Sequence, residues 1–470
     1  MKARIGVALS AIALSFFNPV LAAAQKRATK AGTVCESCIR ANVEFLASDS
    51  LRGRGSASDD ELITAEWVAS EFKKLGLEPL QGKPFILPVQ LTQRPFEEPP
   101  TVRFTSDGKE TVLTHGKEIA LPRMTRAQVQ GKAQHIKVAD LNKTPVQPDS
   151  IVILDKALTF DEARQRLQGK PLAIVKPATD RLIQMWTQVM VHKAGLATLV
   201  NGQAADEDEF EVVNVRPEAM SALENVPDGT LLTIGGNANE KNTPTRNVVG
   251  VLRGSDPKLK DEFIMFSAHM DHIGICAKEG DTICNGADDD GSGTATVLEL
   301  ARLFTAGKRP KRSVLFTTFG SEELGLLGSR GFANQPPLPL SSIVADIEFE
   351  QTGLPEQKIG GKGFWMTGSQ LSDLRTLLST HGSQLADDPF TGNPFFYQSD
   401  NYSLASKGVV AHTIGGAAEF PDYHRPGDSA DKLDYKFMAD SIESLWPGLE
   451  WLANSDARPA YEKGKNPAGK

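Results

Sequence analysis

Through the second half of the chain, short apolar runs alternate with polar stretches punctuated by glycine. Residues 245–251, 263–268 and 314–319 are apolar runs of strand length, the pattern of strands buried on both faces. Residues 294–304 space their apolar side chains as an amphipathic helix does. Upstream, residues 150–155, 171–176 and 195–201 are further short strands, with helical stretches at 161–167 and 182–193 between them. Strands alternating with helices predict an α/β protein. Its central sheet should be mixed, mostly parallel and flanked by helices, with a smaller α/β unit inserted into it.

The chemistry sits where these elements begin and end. Three clusters fall within residues 267–331: His269-Met270-Asp271, then Asp288-Asp289-Asp290 inside a glycine-flanked loop, then Glu322-Glu323 after a strand. Side chains at the carboxyl ends of strands in an open α/β sheet converge on one crevice. Zinc takes neutral imidazole and carboxylate oxygen, and a catalytic site leaves one position open. Two metals about 3.5–4 Å apart need further ligands on each side and a carboxylate between them. His269 and Asp289 are the first pair by chemistry. Asp271, two residues after His269, is expected to accept the imidazole N–H and fix its tautomer. Glu322 and Glu323 are adjacent and point different ways, so one can ligate while the other stays free as general base. Each cluster alone has an ordinary explanation, such as an acidic helix start for Glu-Glu. All three in this order, each at an element boundary, outweigh it.

Together the segments His269-Met-Asp-His-Ile-Gly274, Asn285-Gly-Ala-Asp-Asp-Asp-Gly-Ser-Gly293 and Ser321-Glu-Glu-Leu-Gly-Leu-Leu-Gly-Ser329 resemble the M28 di-zinc metallopeptidases. Ser399-Asp400, Asp422-Tyr-His-Arg-Pro-Gly-Asp428 and Phe45-Leu-Ala-Ser-Asp-Ser-Leu-Arg-Gly-Arg-Gly55 extend the resemblance over residues 36–455, with a weaker middle. The resemblance implies a zinc exopeptidase fold, two Zn2+ ions and a peptide substrate. It makes His269 a ligand of one zinc, Asp289 the bridging carboxylate, Glu322 the general base, Glu323 a ligand and His424 the ligand at the far end. A register anchored on Gly353 puts the fifth ligand at Glu350, where the family more often has Asp. Glu348, two residues earlier on the same strand face, is the competitor and is expected one layer deeper. Asp271, Asp290 and Asp400 then surround the ligands. Asn401 departs from the His that often follows Ser-Asp in the family. His272 is expected to pack or to support the site without ligating. His412 reads as a core histidine, and His115, His135, His192 and His381 as surface or structural residues.

What is implied is an exopeptidase, an aminopeptidase in preference to a carboxypeptidase because the resemblance is to the aminopeptidase branch. A glutaminyl cyclase-like enzyme would use one zinc, and a non-catalytic relative would have lost ligands. Retention of all six residues disfavours both.

Residues 1–24 have the basic start, short apolar run and small-residue end of an export leader. The run is too short to span a bilayer, so the mature chain is expected without stable membrane insertion, in a bacterial periplasm or the extracellular medium. Four cysteines agree with export: Cys276 and Cys284 bracket a loop between His269 and Asp289, and Cys35 and Cys38 lie near the mature start. Two disulfides are expected. The formal net charge of −8 comes without a basic patch, which argues against nucleic acid as a partner. The expected organisation is a catalytic unit of residues 25–94 and 243–456, an inserted protease-associated-like unit of residues 95–242, and a disordered tail of residues 457–470.

Overall fold

The computed structural model describes residues 33–121, 124, 126–158, 160–184, 186, 197–199, 210–276, 280–392, 394–418 and 420–469. The leader assigned to residues 1–24, His192 and most of the helical stretch 182–193 lie outside them. In chain order, β1 (Ile86–Gln93), β2 (Lys241–Leu252), β3 (Phe263–His269), β4 (Ser313–Phe319), β5 (Ile343–Glu350), β6 (Phe364–Met366) and β7 (Ala411–Gly415) supply most of the main sheet. Their spatial order is β6-β7-β5-β3-β4-β2-β1. The four central strands β7, β5, β3 and β4 are mutually parallel. The flanks are antiparallel, β2 and β1 on one side and β6 on the other.

Every residue of β3 and β4 is buried, which explains why they read as unbroken apolar runs. Helices α1 (Glu36–Leu46), α2 (Asp59–Lys74), α3 (Gly293–Ala306), α4 (Leu327–Asn334) and α5 (Tyr435–Asn454) flank the sheet. On one face Ile39, Phe72, Leu300 and Leu449 from α1, α2, α3 and α5 pack on Phe266, Phe316 and Ile347. On the other, Phe332 of α4 joins Met265, Leu315 and Phe319. The start of α2 is fixed by the Ser58 side chain, which accepts from the N–H groups of Asp60 and Glu61.

A second, eight-stranded sheet is built from strands between Thr101 and Gly235 and has its own apolar core around Val102, Ile151, Val175 and Ile234. Its parallel part joins Gln128–Ile136, Ser150–Leu154, Ala173–Pro177 and Glu211–Val215. Ala197–Leu199, read from the sequence as a strand of the inserted unit, pairs instead with β1 of the main sheet. Residues 457–469 have no helix, yet they do not dangle as composition suggested. The Tyr461 hydroxyl donates to Val409 O at 2.8 Å, and Glu462 N donates to Leu371 O. One partly buried aromatic anchor and a backbone hydrogen bond dock this segment rich in proline, lysine and glycine. No described helix is long and apolar enough to cross a membrane.

Candidate metal centre

The parallel strands end side by side. His269 closes β3 beside Phe319 of β4, and Glu350 closes β5. Glu322 and Glu323 follow β4 directly, so three strand ends aim their side chains at one point. The loop back to α3 carries the aspartate triplet, and its three carboxylates have separate duties. Asp288 accepts from Gly353 N at 2.6 Å and Ser292 Oγ at 3.0 Å. Asp290 accepts from Gly293 N at 2.9 Å and Gln351 N at 3.1 Å, joining the start of α3 to the end of β5. The N–H groups of Asp288 and Asp289 donate to the Asp428 carboxylate at 2.8 and 3.1 Å. That leaves the Asp289 carboxylate to face the crevice.

Its two oxygens face different histidines. Oδ1 lies 3.2 Å from His269 Nε2, and Oδ2 lies 3.1 Å from His424 Nε2. Two potential metal-holding groups therefore share Asp289: His269, Asp289 and Glu350 on one side, and His272, Asp289, Glu323 and His424 on the other. Within the second, Glu323 Oε2 is 3.1 Å from His424 Nε2, and Glu323 Oε1 is 2.7 Å from His272 Nδ1. The backbone is bent to achieve this. Ser321, Gln351 and His424 have φ of 53°, 51° and 56°, a left-handed conformation costly for residues other than glycine. Such conformations persist only where the surroundings over-determine them, and they cluster at functional sites.

The donor set fits a metal. His269 Nε2, His272 Nδ1, Asp289 Oδ2 and Glu323 Oε1 are buried without a hydrogen-bond partner of acceptable geometry, and buried polar groups rarely stay unsatisfied. The charge pattern agrees. Burial pushes Glu323 up, but His424 and His272 outweigh it and hold it well below its ordinary value. Burial likewise raises Asp289, and after Glu323 has raised it further, His269 and His424 bring it below the usual carboxylate range. The imidazole of His424, which burial alone would lower, is raised to about 10 by Glu323 and Asp289. His269 is also raised well above its usual value, against burial, by Asp271 and Asp289. Glu350 is pushed up to about 8, chiefly by burial and then by Glu348 and Asp289, despite His269. Glu322 is held well above its usual value by burial, then by Glu323 and Glu350, despite His269. So dense a set of buried carboxylates calls for compensating positive charge.

Other expected positions fall as follows. Glu348 is wholly buried and accepts from Ser399 Oγ, Asp400 N, Asn401 N and Thr413 Oγ1 at 2.7 to 3.2 Å, apart from the two groups. Asp400 accepts from Ser329 Oγ at the start of α4, and the Asn401 amide oxygen accepts from Thr413. Asp271 departs from expectation. Its carboxylate is 3.8 Å from His269 Nδ1, which instead lies 3.2 Å from Asp271's own carbonyl oxygen. The carboxylate accepts from Ser56 Oγ at 2.5 Å and Glu322 N at 3.0 Å, so it positions the backbone of the expected base. The ring of His272 stands beside Glu323 and is counted in the second group. His412 is a satisfied core histidine, bonded to Ser372 and Thr367. His115 accepts from Leu121 N, His381 stacks on Trp451, and His135 meets Asp228 at 2.7 Å on the surface.

Residues 54–61 were not singled out individually in the sequence. Arg54, fully buried, donates to the carbonyls of Leu46, Met270, Asn285 and Gly286 and ties both metal-group loops to α1. Glu61 accepts from Ser321 Oγ and Arg246 N and supports the turn before Glu322. The only sequence signal was Gly53-Arg54-Gly55, a charge between two glycines. Both disulfides, Cys35–Cys38 and Cys276–Cys284, are formed. Beside the metal groups opens a cavity of about 740 Å³, lined by Glu322 and Glu350 at its inner end and by Trp365, Phe395, Phe420 and Tyr423 along its walls.

Comparison with known proteins agrees with this architecture. The solved aminopeptidase from Aneurinibacillus sp. strain AM-1 superposes with a TM-score of 0.60 at 18% identity, over 90% of this chain and 95% of that one. The zinc aminopeptidase BSAP from Bacillus subtilis gives 0.54 at 16%, over 91% and 97%. Both likenesses concern the fold. In sequence, Aminopeptidase YwaD of Bacillus subtilis (strain 168) is 28% identical over 143 residues, 30% of this chain and 28% of that protein. A probable zinc metalloprotease of Pyrenophora teres f. teres is 35% identical over 106 residues, 23% of this chain and 22% of its own length. The chain thus spans less than a third of the length of either curated relative. Residues 247–446, which carry every member of both metal groups, match Peptidase family M28.

Proposed function

We propose that the protein is a zinc-dependent aminopeptidase with two zinc ions, held by His269, Asp289 and Glu350 and by Asp289, Glu323 and His424. The observation that carries this reading is the shared Asp289, whose two oxygens face histidines of two different groups. Zinc bound there would polarise a peptide carbonyl and acidify a water for attack on it. Glu322, at the inner end of the cavity, takes a proton from the attacking water and returns it to the leaving amine. Its place lining the cavity beside the metal groups suits a group that must both accept and give up a proton. Asp271 fixes the Glu322 backbone, and the aromatic cavity wall excludes water and receives the side chain of the residue to be released. Residues 95–242 form an inserted unit in this reading, and the two disulfides support export to an oxidising compartment.

A panel of aminoacyl-nitroanilides with zinc-loaded protein tests the proposal. Free-amine substrates should be cleaved and their N-acetylated counterparts should not. Cleavage confined to the carboxyl-terminal bond of N-blocked peptides would defeat the aminopeptidase reading, and formation of pyroglutamate from N-terminal glutamine without hydrolysis would favour the cyclase.

A further inference from the structure

We infer that His272 is a direct ligand of the zinc assigned to Asp289, Glu323 and His424, so that this ion has four protein ligands while its neighbour keeps three. The inference rests on the di-zinc reading above. Zinc bonds of about 2.0–2.2 Å separate two ligands of a tetrahedron by roughly 3.3–3.6 Å. With Glu323 Oε1 and Asp289 Oδ2 as the carboxylate ligands, the separations of 2.7 Å from His272 Nδ1 to Oε1, 3.9 Å from His272 Nδ1 to Oδ2 and 3.1 Å from His424 Nε2 to Oδ2 bracket that edge. The rings agree as well. Two imidazoles on one tetrahedral zinc have centroids about 5.2 Å apart, given a zinc–nitrogen bond of about 2.0–2.1 Å. The rings of His272 and His424 are 5.4 Å apart and inclined at 76°.

An outer role, with Nδ1–H donating to a ligating Glu323, fits less well. The 2.7 Å contact lacks hydrogen-bond geometry, and both atoms are buried and otherwise unpartnered. Two lone pairs aimed at a common third point produce that arrangement. The ring is also held in place. His272 N donates to Arg54 O, and its carbonyl accepts from Ser56 N. Gly286 sits against the ring face, where a Cβ would come within 2.6 Å of Cγ.

The consequence is a division of labour. The four-ligand ion is saturated by protein and acts as a fixed charge. The ion on His269, Asp289 and Glu350 retains the open position, and it is Glu350 and Glu322, not Glu323 or His272, that line the cavity.

X-ray absorption on protein loaded with zinc tests the assignment. At one equivalent, the tighter four-ligand site should fill first and show two imidazoles per zinc, and the fully loaded protein should average one and a half. His272→Ala should reduce the first value to one. It should also weaken the first-bound zinc by more than the roughly 10–100-fold that loss of an outer partner costs. Two bound zinc ions with one imidazole each, or a His272→Ala loss within that range, would overturn the assignment while leaving the di-zinc reading intact. Failure to bind a second zinc would sink both.

Discussion

Removing either glutamate of β5 should change the metal-free protein in opposite directions. Glu348 satisfies four buried donors. Glu348→Ala strands them in the core, and breaking such a network costs about 3–5 kcal/mol. At about 2–4 °C per kcal/mol for a domain of this order, the melting temperature should fall by roughly 6–20 °C. Glu350 is the reverse case. Its pKa of about 8, against an ordinary 4.5, means that the folded state must hold a proton that the unfolded state releases. At pH 7 that difference costs the metal-free fold about 3 kcal/mol. Its hydrogen bond from Gln351 Nε2 at 3.3 Å returns about 1 kcal/mol at most. Glu350→Ala should therefore stabilise the metal-free protein by about 2 kcal/mol at pH 7. Because the folded pKa is the raised one, the penalty grows as pH rises from 4.5 towards 8, so the variant's advantage should shrink as pH falls through that window. Thermal unfolding in chelator at pH 5, 7 and 8, with zinc titrations alongside, reads both effects. Glu348→Ala should still bind two zinc ions, and Glu350→Ala should lose one. A Glu348→Ala protein lacking a zinc, or a Glu350→Ala protein that melts lower and keeps both, would refute the reasoning.

Glu322→Gln should keep both metals and lose about 10²–10⁴-fold in kcat, whereas Glu323→Ala should lose zinc; the reverse pair of phenotypes would shift the register by one. Because His424 at about 10 and Glu350 at about 8 hold protons in the metal-free protein at pH 7, and His269 is raised as well, zinc uptake should release at least two protons. Affinity should then rise with pH up to about 10, and calorimetry in buffers of different ionisation enthalpy counts the protons. A pH-independent affinity would contradict the charge assignments. Opening Cys276–Cys284 by double serine substitution should cost about 2–3 kcal/mol of stability and weaken zinc binding, since the loop it closes lies between His269 and Asp289; unchanged affinity would show that the loop is rigid without it.

The centre was legible because β3, β4 and β5 are buried parallel strands, whose apolar runs stop at the residues that carry the chemistry. Once His269, Glu322 and Glu350 are placed at adjacent strand ends, their convergence follows from the topology. What the sequence hid depends on turns. His272 lies past the end of β3, where pairing with Gly55 turns its ring back toward Glu323, and period-two reasoning stops at the strand end. Asp271 was assigned to the imidazole by proximity in sequence, but Ser56 and the Glu322 N–H compete for its carboxylate. Arg54 and Glu61 act from segments some 200 residues away, and no local pattern announces that distance. The strand at Ala197–Leu199 shows the same limit, since strand character was readable and the pairing partner was not.

The central claim is two metals on one carboxylate. A crystal of zinc-loaded protein, measured on both sides of the zinc absorption edge, tests it directly. Two anomalous peaks about 3.5–4 Å apart, each within about 2.0–2.2 Å of a different oxygen of Asp289, should appear, one beside His269 and Glu350 and the other beside Glu323 and His424. A single peak in fully active protein, or two peaks that do not share Asp289, would contradict the account.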